Sequence, residues 1–529
     1  MFKFFIMKKQ ILSLATLLMG TSLIFAQGNN SDVNSLGVSN LATVLQVGSN
    51  NDSDIDQDGQ MNVLGGVGNW ADVFQDGDGN ASVTDQQGNF NEAHVSQIGY
   101  GNYSNQSQGV GFAENNFQSA SQNGAMNTSY QLQRWDNNTG VVEQYGYGNF
   151  SSQDQRTLTN GAMGNDGYVL QVGDYNSAYQ TQRGRRNVAE AYQFGYGNYS
   201  DQYQSGRRNY AGVLQDGEMN YNFQYQIGRR NNAVALQYGY YNMSDQYQDG
   251  KDNESFTEQY GDGNWSYAWQ IGDNNDQYTG QGGSSNGSYT DQWGNDNSSW
   301  TLQYGIGYNY STTGQYGDEN TSGTLQNGLG NTSYTTQVGD GNSSYTEQDG
   351  MGSPFWDAWF NYSETMQYGD DNIATTLQHG DNNFSLTYQD GADNVSMTHQ
   401  DGFGNSSFTG QMGEGNNSNT WQLGDANMSS TDQGGERNDS YTEQIGYANN
   451  SYTSQYGWTN VSTTLQHGDM NMSGTLQVGF DNAAMTHQDG YSNYSSTDQW
   501  GNSHNSNVYQ NGVGNMSIVT QIGGSSVPN

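Results

Sequence analysis

The sequence predicts an all-β protein, a β-solenoid of 22-residue strand-turn-strand-turn coils that form two facing parallel sheets. Two observations predict this fold: Gln, Gly and Asn recur every 11 residues through most of the chain, and these repeats combine into units of 22. The composition agrees, because 73 residues are Gly, only 2 are Pro and 13% are aromatic. Disordered chains are usually poor in aromatic residues, whereas a fixed period is typical of repeat architectures.

The 11-residue repeat is clearest in the middle of the chain, and a second unbroken run extends from Gln367 to Gln521. Each Gln is followed by Gly two residues later and, with few exceptions, by Asn five residues later. The predicted structural glutamines are Gln171, Gln182, Gln193, Gln204, Gln215, Gln226, Gln237 and Gln248. The predicted structural glycines and asparagines are Gly173, Gly184, Gly195, Asn176, Asn187, Asn198, Asn209 and Asn220.

The repeat predicts strands and turns. A period of 11 also occurs in right-handed coiled coils, but Gly and Asn are poor helix formers. Alternate residues of a strand share one face, so Asn438, Ser440, Thr442 and Gln444 are expected to point one way and the residues between them the other. Gly at the second position after Gln and Asn at the fifth are expected to adopt positive φ in the turns.

The position two residues before each Gln shows the longer period. It holds Gln in alternate repeats, as at Gln202 and Gln224, and a small residue in between, as at Ala191 and Val213. Two kinds of strand therefore alternate, and in stacked coils each strand lies on a strand of the same kind. Buried amides cost free energy unless they are hydrogen-bonded, and identical amides one coil apart can pair at the ~4.8 Å strand spacing. The sequence therefore predicts amide ladders in a polar interior.

The repeats divide the chain into four segments. Residues 1–26 are predicted to be a secretory signal peptide, 27–34 a short N-terminal segment, 35–523 the repeat solenoid and 524–529 a C-terminal tail. Near the start, Lys8 and Lys9 precede an apolar run and then Ala26, which is typical of a signal peptide. A membrane anchor is the alternative, although the run is shorter than the ~20 residues that span a bilayer.

The motifs resemble the curlin repeat. Examples are the segments 75–80 (QDGDGN) and 193–200 (QFGYGNYS), and the resemblance extends from about residue 35 to 523. It implies a secreted structural protein that forms curli-like amyloid fibres of the extracellular matrix and supports biofilm formation and cell adhesion. It also implies export through the periplasm to the cell surface. The implied partners are other copies of the chain in an end-to-end homopolymer, a nucleator subunit and an outer-membrane export channel. Familiar curli subunits have far fewer repeats, so this chain could form a rod before it polymerises.

An alternative is a monomeric rod-like surface adhesin or a glycan- or ice-binding solenoid. Such a protein needs a regular outward array, whereas the outward positions here vary among Tyr, Asp, Glu, Thr and Trp. The net charge of −39 argues against nucleic acid as a partner. We expect no enzyme activity, cofactor or metal site, because Ser, Asp and His follow the repeat. His379 and His467, for example, are 88 residues apart, a spacing of four coils that indicates duplication.

The repeat after Gln57 is predicted to be shortened, and two other features are candidate interaction sites. The first is an aromatic insertion near 351–360, which contains Phe355, Trp356, Trp359 and Phe360. This insertion is either a turn packed on the rod or a glycan- or surface-binding loop.

Arginine pairs also recur every 22 residues and are expected to stack along one edge. Either carboxylates on neighbouring turns neutralise this stripe, or it binds acidic stretches of another subunit or an anionic polymer. The six arginines are Arg185, Arg186, Arg207, Arg208, Arg229 and Arg230.

Overall fold

The computed structural model describes residues 28–58, 66–109, 113–157, 162–350 and 360–523 of the chain. The predicted signal peptide and C-terminal tail lie outside these residues. The secondary structure of the described residues consists of strands, and the bounds of these strands follow in chain order. Up to residue 157 they are β1 Asn30–Ser35, β2 Gly37–Val38, β3 Leu41–Ser49, β4 Asp52–Asp58, β5 Gly66–Val67, β6 Trp70–Asp78, β7 Ala81–Gln87, β8 Glu92–Tyr100, β9 Tyr103–Gln108, β10 Phe117–Ala125, β11 Thr128–Arg134, β12 Thr139–Tyr147 and β13 Phe150–Arg156.

Between residues 162 and 350 the strands are β14 Asp166–Asp174, β15 Ser177–Arg185, β16 Val188–Tyr196, β17 Tyr199–Arg207, β18 Tyr210–Glu218, β19 Tyr221–Arg229, β20 Asn232–Tyr240, β21 Met243–Lys251, β22 Glu254–Asp262, β23 Trp265–Asp273, β24 Asp276–Ser284, β25 Gly287–Trp293, β26 Ser298–Gly307, β27 Tyr310–Tyr316, β28 Thr321–Leu329, β29 Thr332–Val338 and β30 Ser343–Gly350.

After residue 360 the strands are β31 Tyr362–Tyr368, β32 Ile373–His379, β33 Phe384–Ala392, β34 Val395–Asp401, β35 Ser406–Glu414, β36 Asn417–Asp425, β37 Met428–Glu436, β38 Asp439–Tyr447, β39 Asn450–Trp458, β40 Val461–Asp469, β41 Met472–Phe480, β42 Ala483–Tyr491, β43 Tyr494–Asn502, β44 Asn505–Val513 and β45 Met516–Gly523.

Nearly all of these strands belong to one of two parallel sheets. Sheet A contains β1, β4, β7 and the odd-numbered strands from β9 to β45, and sheet B contains β3, β6 and the even-numbered strands from β8 to β44. The short strands β2 and β5 pair separately. Because strands alternate between the sheets along the chain, each coil is strand, turn, strand, turn. The structure confirms the predicted β-solenoid, and its first strand begins at Asn30, before the position where the sequence repeats start.

The strands of successive coils stack without slipping. Gln171 pairs with Gln193 and Gln182 with Gln204, both at the predicted separation of 22 residues. The 21 strands of sheet B, at ~4.8 Å each, give a rod on the order of 100 Å long.

Insertions leave the register of the described strands intact. Gln57 bonds to Gln86 across a separation of 29 residues, and Gln337 bonds to Gln367 across 30. The sequence indicated a shortened repeat after Gln57. That interpretation is wrong, since this coil is longer than 22 residues and the glutamines still meet.

Each strand turns its repeat residues inward, as predicted. In β38 the side chains of Ser440, Thr442 and Gln444 are buried, and so is Asn438 just before the strand. Asp439 is exposed at the start of the same strand. The interior is consequently polar along most of its length, with small apolar clusters such as Val142, Val169, Ala178 and Ala191.

The turns correct one detail of the prediction. Gly173 has a φ of 116°, as expected, but the second left-handed residue is Tyr175, with φ 58°, and not the Asn that follows it. In the next turns the corresponding residues are Gly184 and Arg186. A Cβ added to Gly173 would lie 2.0 Å from the carbonyl oxygen of Gly195 in the next coil. The repeat needs Gly there because the backbones of successive turns touch.

Candidate functional site

The glutamine ladder connects coils along the rod and sheets across it. The Gln193 Nε2 donates one hydrogen bond to the Gln215 Oε1 in the next coil (2.8 Å) and one to the carbonyl of Ser177 in the opposite sheet (3.0 Å). The Gln193 Oε1 accepts a bond from Gln171 (2.8 Å). Both amide N–H groups are therefore paired, which removes the cost of burying this side chain.

The asparagine ladder runs in the opposite direction. The Asn198 Nδ2 donates to the Asn176 Oδ1 of the preceding coil (3.0 Å), and so does the backbone N–H of Asn198 (3.0 Å). The same Nδ2 also donates to the carbonyl of Gly217 in the following coil (3.0 Å). Asn thus closes each turn by satisfying backbone groups both above and below it.

The other predicted ladder residues make the same kinds of contact. Each predicted Gln donates to the Gln one coil later at 2.8–2.9 Å. Asn187 and Asn220 donate to the Asn one coil earlier, and Asn209 does so through its backbone N–H. The predicted Gln and Asn side chains are at most 1% exposed.

The ladders stop at the two described ends of the rod. In the last coil, the Gln510 Nε2 donates to the carbonyl of Tyr494, and its second N–H has no acceptor among the described residues. In the first coil of the same sheet, Gln46 uses both N–H groups on Asn30 and Gln75, and its Oε1 has no donor in that part of the chain. One end therefore offers an amide donor and the other an amide acceptor at the same position of the repeat.

Aromatic side chains form ladders on the outer faces. The rings of Tyr203 and Tyr225 stack with centroids 4.5 Å apart, and Tyr247 follows at 5.3 Å. Trp269 extends this column and is 41% exposed. These contacts add outer support to each coil while leaving ring faces open to solvent.

The outer faces also hold half-buried ionisable groups. Burial raises the pKa of Asp201 and of Asp245 above the ordinary value of 3.8. Burial, together with a hydrogen bond to Glu443 (2.6 Å) and the charge of that carboxylate, raises the pKa of Tyr441 to about 12. These groups favour their neutral forms because neighbouring coils cover them.

The predicted arginine stripe is part of a larger basic patch. Arg185, Arg207, Arg229 and Lys251 lie in register on successive coils. They occupy the edge where sheet A strands turn into sheet B strands, which we call the A-to-B edge. The basic patch comprises Arg134, Arg156, Arg183, Arg185, Arg186, Arg207, Arg208, Arg229, Arg230 and Lys251.

Sequence reasoning missed the other members of this patch. Arg134, Arg156 and Arg183 stack in a second column immediately after the ladder glutamines. They follow Gln by one residue, whereas the predicted pairs follow it by three and four. Arg183 lies two residues before Arg185 in β15, so the second column runs beside the first, and its members are 22 or 27 residues apart.

Carboxylates neutralise little of the basic patch. Among the described residues, its ion pairs are those of Arg230 and Lys251 with Asp252. Burial and the charges of Arg185, Arg208, Arg229 and Arg186 lower the pKa of Arg207. Stacked like charges repel one another, so this arrangement is unfavourable unless an anion approaches.

The aromatic insertion is mostly outside the described residues. Phe355, Trp356 and Trp359 lie outside the described residues, and Phe360 is 48% exposed. The Phe360 ring covers the α-carbon of Gly330 in the preceding coil, where an added Cβ would lie 2.1 Å from the ring. This residue of the insertion therefore packs on the flank of the rod.

Five of the six histidines lie on the outer face of sheet B, and His504 lies in the turn before β44. Two of the five pair with carboxylates, His379 with Glu347 (3.8 Å) and His467 with Glu443 (3.1 Å). Within the described ranges no group of three or more His, Asp or Glu side chains is arranged to hold a metal ion. The same part of the chain contains no helix that could cross a membrane.

Comparison with known families gives one match. The Curlin associated repeat matches residues 36–59, 66–99 and 250–277, which include the segment 75–80 on which the resemblance was based. No curated protein matches the chain. The matched segments lie in coils that stack in register with all the others. These matches confirm, for the three segments, the resemblance to the curlin repeat that the repeated Gln-x-Gly-x-x-Asn motif predicts.

Proposed function

We propose that the protein is exported to the cell surface and polymerises end to end into curli-like amyloid fibres of the extracellular matrix. In this role it supports biofilm formation and cell adhesion. The family and the β-solenoid fold are those of a structural protein, and the basic and apolar N-terminal residues support export through the periplasm. A nucleator subunit and an outer-membrane channel are further proposed partners, because the curlin resemblance implies them.

The open ends carry this proposal. A strand at the edge of a sheet presents unpaired backbone groups that recruit another strand unless something covers them. The free N–H of Gln510 and the free Oε1 of Gln46 lie in sheet B at the same position of the repeat, so one rod end can continue the ladder of another. The same backbone and amide bonds that join coils would then join copies.

Seeded growth of the chain lacking residues 1–26 tests the proposal. Thioflavin fluorescence and electron microscopy should detect fibres that elongate from added seeds. Replacing Gln510→Lys and Gln521→Lys places two charges where the next coil should stack, and we expect elongation from that end to stop. Asn511→Lys with Thr520→Lys is the matched control, because it adds the same charges to the same strands on outward positions.

The outcomes separate fibre formation from the alternative. Growth by the control and not by the inward variant supports end-to-end stacking. Equal growth by both variants contradicts it. A lasting monomer of the unmodified chain would instead favour a rod-like adhesin, for which the exposed column of Tyr203, Tyr225, Tyr247 and Trp269 offers a glycan-binding surface.

A further inference from the structure

The positive charge of the solenoid is concentrated on one edge. All 11 described Lys and Arg residues lie along the A-to-B edge, ten in the basic patch and the other at Arg437. The chain as a whole is strongly acidic, with a net charge of −39. Among the described residues, Asp252 is the one carboxylate that forms ion pairs with the basic patch. Both observations indicate that most of these guanidinium groups are available to an anionic partner.

The same edge supplies such an anion farther along the rod. The column that contains Arg207 and Arg229 becomes acidic after Lys251, which pairs in register with Asp273. We call its acidic members the acidic column, which comprises Asp273, Asp318, Asp340, Asp370, Glu414 and Glu436. In its second half, a shallow groove is lined by Asp370, Asp390, Glu414, Glu436 and Trp458.

The two charged segments have matching spacing. Both are built on the same strand stacking, so their charges lie at multiples of ~4.8 Å. Asn295 and Ala392 interrupt the acidic column, but Glu414 and Glu436 lie on adjacent coils, so neighbouring arginines can each meet a carboxylate there. An anionic polymer of another chemistry has no such built-in match. Electrostatic complementarity of this kind fixes the register of an interface and speeds its formation.

We propose that the basic patch docks against the acidic column of a second copy of this chain, so that rods associate side by side. Guanidinium groups of one copy pair with the carboxylates of Asp370, Glu414 and Glu436 of the other. This lateral contact is separate from end-to-end growth and uses a different surface. It does not depend on the proposed fibre function, since single rods can pair in the same way.

Charge reversal on each side tests the docking. The basic variant is Arg207→Glu with Arg229→Glu, and the acidic variant is Glu414→Arg with Glu436→Arg. Each variant alone should lose lateral association, which sedimentation velocity and fibre width in electron microscopy measure. A 1:1 mixture of the two variants should restore it, because each intact segment again meets its opposite. Circular dichroism and thioflavin growth serve as controls for folding and end-to-end assembly.

Salt gives an independent readout. Raising the ionic strength from 0.1 M to 1 M shortens the screening distance from about 10 to 3 Å, and we expect paired rods to separate into single rods. Unchanged association of the single variants, or failure of the mixture to restore it, overturns the proposal. Dextran sulfate is the competing probe. If the basic patch binds this polyanion while the unmodified rods remain single, the partner is an anionic polysaccharide and the proposal is wrong.

Discussion

The interiors of residues 166–262 and 428–502 share the same Gln and Asn ladders, which we call the frame, but differ in the other side chains that they bury. In the first region, the position two residues before the ladder Gln holds Gln in sheet A, as at Gln202, and Ala or Val in sheet B, as at Ala191 and Val213, until Thr257 in its last strand. In the second region it holds Thr in both sheets, as at Thr442 and Thr453. A long side chain opposite a short one occupies the narrow interior in one region, and two intermediate ones do so in the other.

The two fillings differ in how well their polar groups are paired. The Gln202 Nε2 donates to Gln224 (3.0 Å) and to backbone carbonyls of Glu190 and Ala211 (3.0 and 3.1 Å). The hydroxyls of Thr442, Thr464 and their neighbouring serines are buried with no partner. The first region also buries unpaired serine hydroxyls, as at Ser200 and Ser244, but it contains an extra ladder that is paired. The second region buries unpaired hydroxyls at its threonines as well, at a cost in free energy. The comparison shows that the ladders form even where other buried polar groups are unpaired.

The largest expected effect is in the first region. Gln202→Ala removes the partner of Gln180 on one side and of Gln224 on the other, and should destabilise the surrounding coils by roughly 1–3 kcal/mol. Because repeat arrays open locally, hydrogen exchange of β16–β19 is the suitable measurement. Gln87→Ala, at an outward position beside the buried Gln86, is the control and should change exchange little. Equal effects of the two substitutions would show that the extra ladder adds nothing.

A smaller effect of opposite sign is expected in the second region. Thr464→Val removes a buried hydroxyl that has no partner and should stabilise β38–β42 by about 1 kcal/mol. The adjacent Thr463→Val changes the same chemistry on the outer face and should stay within about 0.5 kcal/mol of the unmodified chain. Hydrogen exchange again measures both. A loss of stability in Thr464→Val would mean that the hydroxyl is satisfied after all.

The smallest effect concerns pH, and it again distinguishes the regions. Burial raises the pKa of Asp201 and Asp245 in the first region, so the folded state binds protons more readily than the unfolded state. Stability from these groups is greatest below their ordinary pKa of 3.8 and falls as the pH rises through the raised values. Exchange of β16–β22 should be slower near pH 4 than near pH 7 after correction for intrinsic rates.

The double variant Asp201→Asn with Asp245→Asn should flatten this dependence. Asp439→Asn, an exposed position of the second region, is the control. A variant that keeps the full pH dependence would place its origin in other groups.

The sequence predicted the frame because a strict period leaves few alternatives. Gln444, Thr442, Ser440 and Asn438 alternate with outward residues, so their common face followed from strand geometry. The left-handed residue in each turn could not be predicted in the same way. That position holds Tyr175 in one turn and Arg186 in the next, and its backbone conformation is set by the turn and not by the side chain.

The extent of the basic patch was missed although the sequence contained it. Arg183 and Arg185 are two residues apart in β15, so the alternation of a strand places their columns side by side. The unpaired hydroxyls of the second region were beyond the sequence, because they depend on distances between coils, which a repeat pattern does not contain. The period thus determines which residues stack, while the distances between coils determine which polar groups are paired.

The stacking register has a consequence for how long such rods can become. A ladder amide bonds to its counterparts one winding away and to nearby backbone carbonyls, as Gln193 does with Gln215 and Ser177. Adding or deleting a whole winding therefore re-forms the same set of ladder bonds between the windings on either side. The 88-residue spacing of His379 and His467, and of His399 and His487, corresponds to four windings copied as a block. Rod length can accordingly vary between genes in increments of one winding without any redesign of the interior.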